Sequence, residues 1–151
     1  FAWGANDAGQ LGDGSTFVRL EPVRVLQQGA RAVAAGWQHS LAVTDDGKVL
    51  AWGSNKHGQL GAGAGEGSTS LVQVIDGGAR DVAAGWLFSL ALMADGAVLA
   101  WGAGDEGELG GGSKCGSKRP VTVFQSGICG AVRRPSLHQA SPRAASTPWP
   151  S

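Results

Sequence analysis

The groups in this 151-residue chain that could do chemistry are few: three histidines, two cysteines, and a scatter of serines and carboxylates. His39 next to Ser40 suggests general-base or nucleophile chemistry, which needs the base within hydrogen-bond reach of the hydroxyl and a third group to orient it. A second copy of the surrounding phrase keeps the serine, as Ser89, but has Phe88 where His39 stands. A serine that recurs without a recurring histidine does not read as a nucleophile, and His39 reads as packing or structural hydrogen bonding. Asp45-Asp46-Gly47 begins like a calcium loop but lacks the later ligands. The glycine-rich run at 61–67 has neither the dinucleotide-binding spacing nor the Lys-Ser/Thr ending of a phosphate loop. Cys115 and Cys129 are too few for a disulfide framework or a metal cluster, and a reducing, intracellular compartment is the default expectation. No catalytic residue, cofactor or metal site is expected.

The pattern of the chain lies elsewhere, in repetition. FAWGANDAGQLG at 1–12 returns as LAWGSNKHGQLG at 50–61 and LAWGAGDEGELG at 99–110, which spaces Trp3, Trp52 and Trp101 by 49 and 49. A second phrase, AAGWQHSLAV at 34–43, returns as AAGWLFSLAL at 83–92 and places Trp37 and Trp86 at the same step. Residues 31–61 and 80–110 align without a gap at 19 identities in 31. A fixed period of this size means one structural unit stacked on copies of itself.

Charge divides the chain. Residues 1–112 carry 6 Lys and Arg against 12 Asp and Glu, whereas residues 113–151 carry 6 basic residues and no acidic ones. The zero net charge therefore hides an acidic repeat body and a basic tail. The tail has only Phe124 and Trp149 where a nucleic-acid surface interleaves aromatics with its basic residues, so nucleic-acid binding is not expected. The thirteen uncharged residues 82–94 are too short to span a bilayer, and the same segment one period earlier holds Gln38 and His39. No membrane association is expected.

Short runs of Val, Leu, Ala and Trp, punctuated by Gly, Asp, Ser and Asn, predict strands near 22–26, 31–35, 38–44 and 47–52. Asp46-Gly47 and Asp95-Gly96 predict tight hairpins between the last two strands of each period. Four strands per 49 residues is the size of one β-propeller blade. The small residues Ala34, Ala35 and Gly36 suit an innermost strand crowded round an axis. Strands apolar on both alternations, as at 38–44 and 47–52, suit blades packed between two neighbours. The expected fold is thus all-β, with four-stranded antiparallel blades forming an incomplete ring. Trp3, Trp52 and Trp101 are expected as core aromatics whose ring N–H finds a carbonyl. Leu60 and its equivalent Leu109 would plug the corner that follows, with Gly58, Gly61, Gly107 and Gly110 permitting the turn. Residues 1–127 form the repeat region, and the Pro-, Ser-, Ala- and Arg-rich 128–151 are expected to be disordered.

A-A-G-W-x-H-S-L-A-V at 34–43, D-G-K-V-L-A-W-G at 46–53 and N-x-x-G-Q-L-G at 55–61 together resemble the repeat of the regulator of chromosome condensation family. The resemblance implies a seven-bladed propeller. The 127 residues in register, at 49 per period, supply about 2.6 blades, so the remaining blades are expected from a longer protein. It also implies binding of a protein partner through loops that vary on a constant frame. Those loops are Asn6-Asp7-Ala8, Asn55-Lys56-His57 and Gly104-Asp105-Glu106, with Asn6, Asp7, Asn55, Lys56, His57, Asp105 and Glu106 as the candidate contact residues. The founding activity of the family, guanine-nucleotide exchange on a small Ran-like GTPase, is the alternative; its wedge is an insertion in one blade, and neither 49-residue interval here has room for one. The Gly-Trp-x-His-Ser pattern at 36–40 is also similar to the plant UV-B photoreceptor, but Gln38 and Leu87 stand where that protein has arginines, which argues against light sensing. The secreted β-lactamase-inhibiting propellers are a further relative, without an export signal here to support them.

Overall fold

In a computed structural model, residues 1–123 are described, and they form ten strands without a helix. The strands are β1 (Ala2–Gly4), β2 (Arg19–Val23), β3 (Ala30–Ala35), β4 (His39–Thr44), β5 (Val49–Ser54), β6 (Gly67–Ile75), β7 (Ala79–Ala84), β8 (Phe88–Met93), β9 (Val98–Gly102) and β10 (Ser117–Thr122). They make two four-stranded antiparallel meanders, β3-β4-β5-β6 and β7-β8-β9-β10, preceded by the two-stranded sheet β1-β2. Shifting by 49 carries β1 onto β5 and β9, and β2 onto β6 and β10, so the two-stranded sheet is the outer half of a blade. The tail expected to be disordered lies outside the described residues. No helix among the described residues is long and apolar enough to cross a membrane.

The register follows from the side chains. Leu41, Val43, Val49 and Ala51 from one face of the middle strands of the first full blade, and Ala42 and Trp52 from the other, are all buried. The first four share one core with Ala79, Val82, Ala91 and Trp101 of the second blade. The inner strands β3 and β7 pack together, and β4 also touches β7. Alanine at 32, 34 and 84 lets these backbones approach while still covering the core. The Thr44–Lys48 hairpin closes as expected, with Gly47 at φ 82° and its N–H donating to Thr44 O at 2.9 Å. Asp46 accepts from Lys48 Nζ and Thr44 Oγ1, and those contacts hold its carboxyl down at about 2.

Two expectations need correction. The strand expected at 22–26 lies three residues earlier, at Arg19–Val23. The strand ends at Val23, which pairs with Ala2, whereas one period on the ladder continues through Gln73 and Ile75 opposite Leu50 and Val49. Cys115 is disulfide-bonded, although two cysteines gave no disulfide framework to expect.

Candidate protein-contact face

The meander sets which loops share an end. β3 and β5 both finish at the end where Ser54 N–H donates to Gln38 O at 2.7 Å, and the second blade repeats this with Ala103 N–H and Leu87 O at 2.9 Å. The β3–β4 and β7–β8 turns, with Trp37 and Trp86, therefore lie beside the long connections that follow β1, β5 and β9. The tight β4–β5 and β8–β9 hairpins lie at the opposite end.

Each long connection is a corner built on the recurring phrase. In the second corner Asn55 is buried, and its Oδ1 accepts from Leu60 N–H at 3.0 Å while its amide donates to Gly63 O and Gly65 O. In the first, Asn6 does the same for Leu11 N–H, Ser15 O and Phe17 O. Asp13 holds that loop by accepting from Ser15 and from Arg19 Nε at 2.6 Å, and these bonds keep its carboxyl well below the usual carboxylate range. Leu11, Leu60 and Leu109 are buried plugs. Gly58, Gly61, Gly107 and Gly110 all have positive φ, between 66° and 85°.

The corner's main task is a clasp between blades. The carbonyl of Gln59 accepts from Trp101 Nε1–H at 2.9 Å and from Ser89 Oγ–H at 2.7 Å, both from the next blade. Gln10 O takes Trp52 Nε1–H and Ser40 Oγ–H, each at 2.8 Å. Gly12 and Gly61 let the indoles lie flat on the corner: a Cβ there would stand 2.8 Å from the ring of Trp52 or Trp101. Trp101 is 0% and Trp52 4% exposed, whereas Trp3 is 62% exposed. Among the described residues no preceding corner receives the Trp3 ring, and it is exposed rather than in the core. A cavity of about 410 Å³, lined by Phe1, Trp3, Leu26, Val33, Trp37 and Trp52, opens on that side of the first full blade.

Sequence reasoning set Ser89 aside for want of a histidine, yet the fold brings one from the neighbouring repeat. His39 Nε2 lies 3.0 Å from Ser89 Oγ. Because Ser89 gives its own hydrogen to Gln59 O, the imidazole donates through Nε2. Its Nδ1 is buried without a hydrogen-bond partner. Burial pushes the imidazole down to about 4, against a smaller opposing pull from the Phe88 backbone. Ser89 is fully buried and gives its hydrogen to Gln59 O, so the pair acts as a strut between blades. Among the described residues no three His, Cys, Asp or Glu side chains gather as metal ligands.

Of the candidate contact residues, Asp7, Lys56, His57, Asp105 and Glu106 are exposed on the corners, at one end of the blades. Asn6 and Asn55 are not available to a partner: both are buried and their amides hold the loops. Their recurrence at the same place in two corners, beside neighbours that vary, was the signal for a framework role. In the third corner Gly104 takes the asparagine's position, where Cys115 O would stand 2.3 Å from an added Cβ.

Stacked four-stranded blades clasped by Trp-to-corner bonds define a partial β-propeller. The regulator of chromosome condensation (RCC1) repeat matches residues 1–43 and 46–92, and a second profile of that repeat matches 30–59 and 79–108. The chain belongs to the RCC1 repeat family. Solved structures with the same fold include yeast RCC1 (Prp20) bound to Kap60, at 23% identity and a TM-score of 0.68, covering 82% of this chain and 32% of that one. Prp20p from Saccharomyces cerevisiae, described with its binding properties to Gsp1p and histones, matches at 22% identity and 0.67, over 82% and 34%. Human WBSCR16 matches at 27% identity and 0.63, also over 82% and 34%. The chain thus spans about a third of the length of these relatives. No curated protein matches it.

Proposed function

We propose that this chain is a non-catalytic protein-binding module, with the corner residues Asp7, Lys56, His57, Asp105 and Glu106 contacting a protein partner. The observation that carries this reading is the division of labour within each corner. Buried Asn, Leu and Gly residues fix the loop, while the exposed positions between them change from copy to copy. Side chains free of any role in the frame can vary with the partner they meet. The yeast relative's complex with Kap60 and its described binding to Gsp1p and histones are in keeping with protein partners.

The test is site-specific photo-crosslinking in the full-length protein, with the probe at Lys56 or Asp105 on the corner end and at Asp45 or Asp95 on the hairpin end. Adducts to one defined partner from the corner end alone are expected; equal yields from both ends would remove the reading.

A second reading, guanine-nucleotide exchange on a small Ran-like GTPase by the full-length protein, has the support of the family alone. Exchange needs a surface that favours the nucleotide-free state rather than side-chain chemistry. The corners of this chain carry no inserted wedge, since both intervals are 49 residues. Any wedge would belong to other blades. Release of a fluorescent guanine nucleotide from the GTPase, with this chain and with the full-length protein, distinguishes the two.

A further inference from the structure

Trp37 and Trp86, in the turns between inner and second strands, take no part in the clasp. They are 59% and 73% exposed, and their rings stack at a centroid distance of 5.5 Å with 26° between planes. Tryptophan is the best aromatic face for a cation, and two stacked indoles present a broad one. Among the described residues no lysine or arginine stacks on either ring. The surroundings favour positive charge. Asp7, from the neighbouring corner, is tied to the Trp37 turn by Gln38 Nε2, which donates to Asp7 Oδ2 at 3.2 Å. That carboxylate stays exposed. Over the described residues 1–123, acidic side chains outnumber basic ones by 12 to 9. Lys56 holds the place of Asp7 in the next blade, so the acidic pole lies on the Trp37 side.

We propose that the Trp37–Trp86 pair, with Asp7, is a docking platform for an arginine-bearing extended segment of the protein partner. The guanidinium lies flat on the indole face and its edge donates to the Asp7 carboxylate, a planar fork that lysine does not reproduce. Lys56 repels a second cation and so fixes the direction in which the segment crosses the pair. This rests on the protein-binding reading and names the chemistry that the partner must bring.

The experiment is a titration of the isotope-labelled chain with the capped peptide Gly-Arg-Gly-Arg-Gly, following the indole N–H resonances. A matched peptide with neutral citrulline in place of both arginines is the control. Trp101, buried in the clasp, reports that the fold is intact. Saturable shifts at Trp37 and Trp86 are expected with the arginine peptide, with affinity about three-fold or more below it for citrulline or for Asp7→Asn, and about two-fold tighter binding for Lys56→Glu. Equal affinity for the two peptides, or unmoved Trp37 and Trp86 signals while Trp101 stays in place, would overturn the platform. A partner that crosslinks to the corners yet leaves the tryptophans unaffected would overturn the platform alone; peptide binding without corner crosslinks would count against the corner reading alone.

Discussion

The two complete blades are written with nearly the same sequence and end with different surroundings. In the first, β4 and β5 are buried along almost their whole length, because the half-blade covers one face and the second blade covers the other. In the second, β8 mixes buried with half-buried and exposed positions, and Leu92 is exposed. The tryptophans follow the same rule. Trp52 and Trp101 each have a preceding corner and are buried; Trp3, in the same phrase, has none and is exposed. Burial in this architecture is therefore a property of the blade boundary more than of the blade, as expected of stacked repeats whose stability is largely nearest-neighbour interface.

The largest test of that rule is a matched pair of substitutions. Trp101→Ala removes a fully buried indole and its bond to Gln59 O, and should cost about 3–5 kcal/mol in urea unfolding. Trp3→Ala, the same change in the same phrase, should cost well under about 1 kcal/mol because no corner receives the ring. Comparable losses would show that the tryptophan stabilises its own blade and that the boundary account is wrong.

His39 and Phe88 sharpen the contrast, since they occupy equivalent positions in adjacent blades. The folded protein holds His39 down at about 4, from an ordinary value of 6.5, chiefly by burial. A depressed histidine makes the unfolded state the better proton binder. Its contribution is therefore fully present above about pH 6.5 and is lost as pH falls toward 4, by at most about 3 kcal/mol. Protonation would add an Nδ1–H where that atom has no partner. His39→Phe, which copies the second blade, should flatten the stability profile between pH 6.5 and 4. A profile of unchanged slope in the variant would place the acid sensitivity elsewhere.

Much of this was legible in the sequence, for a definite reason. A 49-residue period with strand and turn punctuation specifies a blade, and the glycines and leucines of the corner mark a turn that must recur. What could not be read was anything created by one repeat acting on the next. The His39–Ser89 contact joins residues 50 apart whose equivalents are Phe88 in one case and serine in both, so no single-repeat pattern announces it. The clasp on Gln10 O and Gln59 O is made by a backbone atom, which has no sequence signature. Asn6 and Asn55 share triplets with variable neighbours, and only a position-by-position comparison separates the recurring buried residue from the exposed ones beside it.

Those asparagines give the next test. Asn55→Ala would leave Leu60 N–H buried without an acceptor and free two loop carbonyls, costing about 1–3 kcal/mol. The third corner manages with Gly104, because the backbone at Cys115 and Gly116 closes on the space. Gly104→Asn should accordingly destabilise rather than improve that corner, although it installs the residue that the other two corners carry. A stabilised Gly104→Asn protein would mean that side-chain plug and backbone closure are interchangeable, and the corners would lose their individuality.

The smallest expected effect lies at the other end of the blades. Lys48 pairs with Asp46 at 2.8 Å in the first hairpin; the second has Ala97 in its place, with Asp95 accepting from the Ala97 N–H. The Lys48 ammonium is raised by its partner, but both charges face water, where an ion pair is screened and the ordering of a long side chain offsets its attraction. Lys48→Ala should leave the urea midpoint within experimental error of the parent at 0.15 M salt. The turn itself is set by the Gly47 backbone and the Thr44–Lys48 main-chain bond, which the substitution keeps. If the midpoint instead dropped by as much as for Asn55→Ala, the hairpin end would contribute to blade stability as the corner end does. The two ends would then differ in what they display and not in what holds them, and the assignment of partner contact to the corner end would rest on exposure alone.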